Sequence, residues 1–168
     1  MTRDDGWRLL SIGRHIERLG FLSHALATGF NHGAVHHDGG FKAMVALFDS
    51  TITFNGQYQQ SYDIAPLVDL LVLDRENPRA LAWVAHTLRG RLGKLAGKAP
   101  DQLGPLSHSV PDPMQWQLET LCDAGTDVDY TALGNVLEGC QKAAYQVSEE
   151  ISATYFTHSG EARQSLSA

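Results

Sequence analysis

The sequence has few of the residues from which disulfide frameworks, metal centres and nucleophilic active sites are built. Only two of its 168 residues are cysteines, Cys122 and Cys140. They are too few and too far apart for a disulfide framework or a zinc motif. Neither a nucleophile elbow of the G-x-S-x-G type nor a phosphate-binding loop with a lysine–serine pair occurs. The sequence therefore predicts no cofactor and no metal, and it gives little support to nucleophilic catalysis.

Long apolar runs and clusters of positive charge are also lacking. No window approaches about 18 uninterrupted apolar residues, and the opening MTRDDGW has no apolar signal region, which argues against membrane insertion and secretion. Lys and Arg number 13 against 19 Asp and Glu, for a net charge of −6, whereas nucleic-acid-binding surfaces cluster basic residues. We expect a cytoplasmic protein with no nucleic-acid partner and no membrane.

Helical periodicity runs through most of the chain. Apolar residues recur at helical spacing in six segments, 6–28, 41–60, 66–73, 78–95, 114–123 and 129–158. Convincing strand patterns are absent, so the sequence predicts an all-α bundle of about five to six mostly antiparallel helices without a sheet. A chain of this length can bury one core. We predict a single helical domain over 1–158, a loop at 96–113 and a flexible tail at 159–168.

The first predicted helix carries the most informative residues. Its aliphatic residues gather on one side at roughly 100° per residue, and a second apolar stripe of Trp7, Leu10, Phe21 and Ala25 runs along the opposite side. The charged residues Arg14, Glu17 and Arg18 lie within this second stripe, so we expect neighbouring helices to enclose the first helix on both sides. Two interpretations are open: a structural ion pair of Arg14 with Glu17, or a polar pocket or partner surface built around two guanidinium groups.

Further polar residues lie beside the apolar faces of other predicted helices. Asp49 and Thr53 are one turn apart in the second helix, and Arg79 stands in the first turn of a helix that Asn77 and Pro78 begin. A cation in that first turn opposes the helix dipole unless a partner compensates for it. We expect these residues to converge on the charges of the first helix. Three arginines against two carboxylates would then leave a positive surplus for an anionic group.

A histidine cluster occurs at His32, His36 and His37, beside Asp38. Imidazoles with a carboxylate can hold zinc or nickel. Because this glycine-rich segment has no helical histidine pair to fix the geometry, we interpret it as a solvated loop and not as a metal site.

Four segments, taken in order, resemble a known family. They are MTRDDGWRLLSIGRHIERL, FDSTITFNGQYQ, PLVDLLVLDRENPRAL and EEISATYFTHS. Together they resemble the bacterial alpha-E family, which is named for its helical character and its Glu-Arg motif, here Glu17-Arg18. The resemblance is to the later half of the family, which implies that this chain is a fragment or domain of a longer protein. The matching positions are Arg14, Glu17, Arg18, Asp49, Ser50, Asp69, Asn77, Pro78 and Arg79.

The resemblance also implies a setting and a set of partners. Alpha-E proteins are similar in setting to accessory components encoded beside or fused to circularly permuted ATP-grasp ligase-like proteins and transglutaminase-like proteases. The first hypothesis is therefore a non-catalytic helical module that docks with an ATP-grasp-type amide ligase or with the missing earlier alpha-E half. A homodimer could cover the same face instead. The alternative is an enzyme part or ligand site in which an Arg/Glu cluster binds an anionic peptide or nucleotide.

The candidate ligand- or partner-binding residues follow from both lines of reasoning. No catalytic role is assigned to any of them. They are Arg14, Glu17, Arg18, Asp49, Ser50, Thr53, Asp69, Asn77 and Arg79.

Overall fold

The computed structural model describes residues 3–59, 62–97, 104–122 and 129–156. Within these ranges the chain forms eight α-helices, namely α1 (Arg3–Asn31), α2 (Asp38–Leu47), α3 (Thr51–Tyr58), α4 (Ile64–Val68), α5 (Leu81–Leu95), α6 (Pro105–His108), α7 (Leu118–Leu121) and α8 (Thr131–Tyr155). A π-helical segment at Asp69–Leu73 continues α4. The all-α prediction is confirmed, but the predicted count of five to six helices is too low. The predicted tail at 159–168 lies outside the described residues.

The longest helix, α1, packs chiefly against α8 and α5. Near the end of α1, the ring of Phe30 contacts that of Tyr130 just before α8, with 5.1 Å between centroids. Farther back along α1, Gly20 lies opposite Ala144, and a Cβ at Gly20 would stand 3.5 Å from that of Ala144. Because later residues of α1 meet earlier residues of α8, the two helices run antiparallel.

Helix α5 also runs antiparallel to α1. His15 of α1 stacks on Trp83 near the start of α5, with 5.8 Å between ring centroids, whereas Arg8 shares a pocket with Lys94 near the end of α5. The core lies where the three helices meet, and burying each leucine there contributes roughly 1.5–3 kcal/mol. Its fully enclosed leucines are Leu19, Leu26, Leu81, Leu88, Leu92, Leu133 and Leu137.

The chain turns sharply between α2 and α3, where the periodicity predicts one helix over 41–60. The turn centres on Asp49, whose φ of 50° lies in the left-handed region, which aspartate tolerates better than most residues. The next residue, Ser50, is buried, and its hydroxyl donates to the carbonyl of Phe48 at 3.0 Å. This turn ends the helix, and it exposes the Asp49 side chain at the surface.

Two further boundaries differ from the predicted ones. Helix α5 begins at Leu81 with Ala80 as its N-cap, so the 77–79 segment forms the turn before the helix and not its first turn. The helix predicted at 114–123 is reduced to a 3₁₀ turn at Pro113–Gln115 followed by α7. Local hydrogen bonds mark both boundaries: the N–H of Ala80 donates to the carbonyl of Asn77 at 2.9 Å, and the N–H of Met114 donates to the Asp112 carboxylate at 3.1 Å.

The segment predicted as a surface loop over 96–113 contains α6, which is anchored to α5 by a buried arginine. The guanidinium of Arg89, 9% exposed, donates to the carbonyls of Ser107 and Val110 and lies 3.5 Å from the Asp112 carboxylate. In return, the hydroxyl of Ser107 donates to the carbonyl of Arg89 at 3.0 Å. The described part of this segment is therefore built into the fold.

Candidate functional site

One face of α1 is open to solvent, and this face carries the residues singled out in the sequence. The side chains of Trp7, Leu10 and Phe21 are 62%, 50% and 54% exposed. The prediction that neighbours enclose α1 on both sides is therefore wrong. Helices α5 and α8 cover only the face formed by the fully buried residues, among them Leu19 and Leu26.

The exposed residues follow the spacing of a coiled-coil seam. Trp7, Leu10, Arg14, Glu17 and Phe21 are successively three, four, three and four residues apart, the a/d repeat by which one helix packs against another. We call these five residues the α1 stripe. Apolar side chains occupy its two ends and opposite charges occupy its middle. This arrangement is typical of a surface that a second helix can cover.

The charges of the stripe and of the adjacent Arg18 are not paired with each other. Among the described residues, no ion pair or hydrogen bond joins the side chain of Arg14, Glu17 or Arg18 to another side chain, and all three residues are exposed. The structure therefore does not contain the Arg14–Glu17 ion pair that the first interpretation expects. These exposed charges are therefore available to a partner or ligand.

A groove of about 560 Å³ opens beside the stripe. Besides Arg14, Glu17, Arg18 and Phe21 it is lined by His15, Pro78 and Trp83. Pro78 brings the turn before α5 to this groove, so two of the four family-like segments meet here. The predicted convergence of Asp49, Thr53 and Arg79 on the charges of the first helix is not found here, because none of the three lines the groove.

Asp49 and Arg79 form an ion pair across 30 residues of sequence. The Asp49 carboxylate oxygen lies 2.8 Å from one terminal nitrogen of Arg79 and 3.0 Å from its Nε. The side chain of Asn77 accepts from the backbone N–H of Arg79 at 3.0 Å and so shapes the turn. Arg79 is therefore compensated by Asp49 and adds little to the predicted positive surplus. As an exposed pair it contributes about 0–1 kcal/mol.

Three predicted site residues lie elsewhere. Ser50 is buried against its own turn, and the half-buried Thr53 does not line the groove. Asp69 accepts a hydrogen bond from the hydroxyl of Tyr58 at 2.7 Å. Burial, and then the Asp69 carboxylate, raise the pKa of Tyr58 well above its usual range. Asp69 therefore joins α3 to the π-helical segment, which is a structural contact.

His15 belongs to the groove although its sequence context does not single it out. Its Nδ1 lies 2.7 Å from the carbonyl oxygen of Ser11, so in the neutral ring Nδ1–H donates and Nε2 is free to accept. Burial lowers the pKa of His15, and the charges of Arg91 and Arg18 lower it further. In the sequence, only the spacing of one helical turn between Ser11 and His15 indicates this hydrogen bond. The positions of Trp83 and Arg91 beside His15 could not be predicted, because both residues belong to another helix.

Acidification should destabilise the protein through His15. Because the folded protein holds the pKa of His15 below 6.5, the unfolded chain binds the proton first as the pH falls. Neutral His15 therefore makes its full contribution to the free energy of unfolding above pH 6.5. This contribution is lost as the pH falls from 6.5 through the lowered pKa of the folded protein. We expect His15→Gln to show a weaker dependence of unfolding free energy on pH in this window. An NMR titration that places the folded imidazole at or above 6.5 would contradict this.

The two thiols are not groove residues. Cys140 is fully buried in α8, and burial raises its pKa to about 12. Burial also raises the pKa of the half-buried Cys122. Both thiols are therefore protonated at neutral pH and poorly nucleophilic.

The described residues contain neither a metal-binding cluster nor a membrane-spanning helix. No group of three or more His, Cys, Asp or Glu side chains in the described ranges has a metal-binding arrangement. Nor is any helix there both long enough and apolar enough to cross a bilayer.

Comparisons with known proteins agree with the helical fold. A family model described as a predicted α-helical domain with a conserved Glu-Arg motif, Alpha-E, matches residues 1–156. Similar curated proteins are uncharacterized proteins of Mycobacterium tuberculosis strain H37Rv, M. tuberculosis strain CDC 1551 and Mycobacterium bovis strain AF2122/97, each 24% identical over 163 residues. No solved structure matches the chain.

The extent of these matches corrects one expectation. The alignments cover 92% of this chain but 18% of each relative, so the chain spans about a fifth of the length of the curated relatives it matches. The family match runs through nearly the whole chain, and the expected restriction to the later half of the family is not borne out. Glu17-Arg18 is the sole Glu-Arg dipeptide in the sequence, which places the family motif on the exposed face of α1. The chain belongs to the Alpha-E family.

Proposed function

We propose that this domain is a non-catalytic docking module that works with an ATP-grasp-type amide ligase, in a system that also includes a transglutaminase-like protease. The observation that carries the proposal is the α1 stripe, in which Trp7, Leu10 and Phe21 are each at least half exposed around the Glu-Arg motif. Large aromatic side chains that remain in water on one face mark an interaction surface. The partner's class comes from the family resemblance described above.

The stripe suits a helix of the partner. Its a/d spacing would allow a second helix to insert side chains along its length, with Trp7 and Phe21 as anchors at the two ends. The central Arg14 and Glu17 would set the register, because only a partner with complementary charges can cover both without leaving one unpaired. These two charges, of which Glu17 belongs to the Glu-Arg motif, therefore contribute specificity, and the apolar residues contribute most of the affinity.

The lining of the adjacent groove supports a non-catalytic role. None of its lining residues is a cysteine, serine or threonine, so a hydroxyl or thiol nucleophile is not among them. His15 is the one neutral imidazole there. Its Nε2 can accept a hydrogen bond from a bound group.

The unpaired charges favour a second candidate function. Arg14 and Arg18 both line the groove, and neither has a carboxylate partner among the described residues. An anionic peptide or a nucleotide could bind there through charge-assisted hydrogen bonds, with Trp83 as an apolar wall. A rise in the melting temperature of the isolated domain on adding ATP or an acidic peptide would favour this candidate.

The test of the docking module is binding to a purified ATP-grasp-type ligase encoded beside such a protein, measured by calorimetry. Phe21→Ser should weaken the complex about 30-fold, the effect of removing an anchor worth about 2 kcal/mol. The matched control is Tyr145→Ser on α8, since Tyr145 is 71% exposed and lies outside the stripe; its affinity should stay within about twofold of wild type.

Other outcomes contradict the proposal. Absence of a complex, or an equal loss with Tyr145→Ser, would refute docking through the α1 stripe. Self-association of the domain that Phe21→Ser abolishes would assign the stripe to a second copy of the chain. Binding to the earlier part of a longer Alpha-E protein in place of the ligase would assign it to an intramolecular interface.

A further inference from the structure

A second, smaller pocket lies between α1 and the latter half of α5. Its volume is about 310 Å³, and its polar lining consists of Arg8, His86, Thr87, Arg91 and Lys94. Three of the 13 Lys and Arg residues of the chain line this pocket, and no carboxylate does. We call it the α5 pocket. In a chain with a net charge of −6, such a concentration of positive charge needs a physical reason.

The helical register of α5 creates this concentration. His86, Gly90 and Lys94 are successive residues at a spacing of four, so they form one row along α5, and Thr87 and Arg91 form the row beside it. A Cβ at Gly90 would meet nothing within 4 Å, so the middle of the first row borders open space. Across that space stands Arg8 of α1. The basic side chains therefore surround a cavity on the bundle surface.

Arg91 supplies the observation that points to a ligand. Its Nε is buried from solvent and has no hydrogen-bond partner. An unpartnered donor of a charged group is costly, because the desolvation of that group is not offset by a protein acceptor. Among the described residues, the ion pairs of the structure do not include Arg91. An anion in the pocket would meet the part of the same side chain that lines the pocket and would offset the desolvation of its charge.

The neighbouring carboxylate does not fill this role. Asp5 lies 3.9 Å from a terminal nitrogen of Arg8, and both side chains are largely exposed. At that separation the contact is longer than a hydrogen bond. Arg8 can therefore turn toward an anion in the pocket at little cost.

We propose that the α5 pocket binds a phosphoryl group, as pyrophosphate or as the phosphate end of a small phosphorylated molecule. Three permanent cations match a group of two to three negative charges, and the arginine forks match the tetrahedral arrangement of phosphate oxygens. The Thr87 hydroxyl adds one neutral donor. This site is separate from the groove beside the α1 stripe and does not depend on the docking function.

The experiment is calorimetric titration of the whole chain with pyrophosphate at low ionic strength, where screening is weak. We expect saturable binding of one pyrophosphate per chain. Arg91→Gln and Lys94→Gln should each weaken it about tenfold, the effect of removing one charge-assisted contact. Lys94 is exposed, so Lys94→Gln should fold normally and keeps the test informative if Arg91→Gln is unstable.

Two control variants separate the α5 pocket from other positive charges. Lys142→Gln removes an exposed lysine of α8 that is paired with Glu138 at 2.6 Å, and Lys42→Gln removes an exposed lysine of α2 that is paired with Asp38 at 2.9 Å. Both should bind pyrophosphate within about twofold of wild type. The proposal is overturned if pyrophosphate does not bind saturably, if Lys42→Gln weakens binding as much as Lys94→Gln does, or if citrate binds as tightly as pyrophosphate.

Discussion

Replacing Arg89 by methionine is expected to lower the free energy of unfolding by about 3–5 kcal/mol, because it removes one side of a buried charged network. The guanidinium is almost fully buried, and it serves the carbonyls of Ser107 and Val110 and the carboxylate of Asp112. Methionine fills part of the volume but donates no hydrogen bond. The two carbonyls and the half-buried carboxylate would then lose their donor.

Chemical denaturation followed by circular dichroism measures this loss. Lys142→Met is the matched control, since it also replaces a cation of a helix by methionine but at an exposed ion pair, and it should change stability by less than about 0.5 kcal/mol. A similarly small effect of Arg89→Met would show that α6 and the segment after it do not depend on this network.

Replacing Leu19 by alanine is expected to cost about 2–5 kcal/mol, whereas Leu10→Ala should change stability by less than about 0.5 kcal/mol. Both are leucines of α1, but Leu19 is fully buried between α1 and its neighbours and Leu10 is 50% exposed. The first substitution leaves a cavity in the core. The second removes surface that water already contacts.

Thermal or denaturant unfolding of the two variants distinguishes the folding face of α1 from its outward face. If Leu10→Ala destabilises the isolated domain as much as Leu19→Ala does, the α1 stripe is part of the core and cannot be a docking surface. If Leu10→Ala leaves stability unchanged but weakens the ligase complex, folding and binding are separated on one helix. This pair of variants therefore tests the structural premise of the proposed function.

Local patterns in the sequence were sufficient to predict the fold class and the long helices. Helix α8 and most of α1 and α5 follow from apolar spacing, because a helix that buries one face shows its period directly in the chain. The same spacing also located the second apolar stripe of α1, with Arg14, Glu17 and Arg18 inside it. Each of these inferences depends on residues within a few turns of one another.

The tertiary structure alone decided which surfaces are covered. An apolar stripe has the same sequence whether a neighbour packs on it or water contacts it, so the exposure of Trp7 and Phe21 could not be read from their spacing. The partners of Arg89 lie 18 to 23 residues away in sequence, and Trp83 reaches His15 from another helix. The left-handed turn at Asp49 is likewise set by its surroundings, since the residues on both sides have helical patterns.

The sequence by itself therefore determined the all-helical character of this Alpha-E domain and the position of its Glu-Arg motif on the first helix. Only the tertiary structure decided that the motif faces outward, that Asp49 pairs with Arg79, and that Arg8 and Arg91 share a pocket. The physical reason is that helical periodicity is a local property, whereas exposure and ion pairing depend on how distant helices pack.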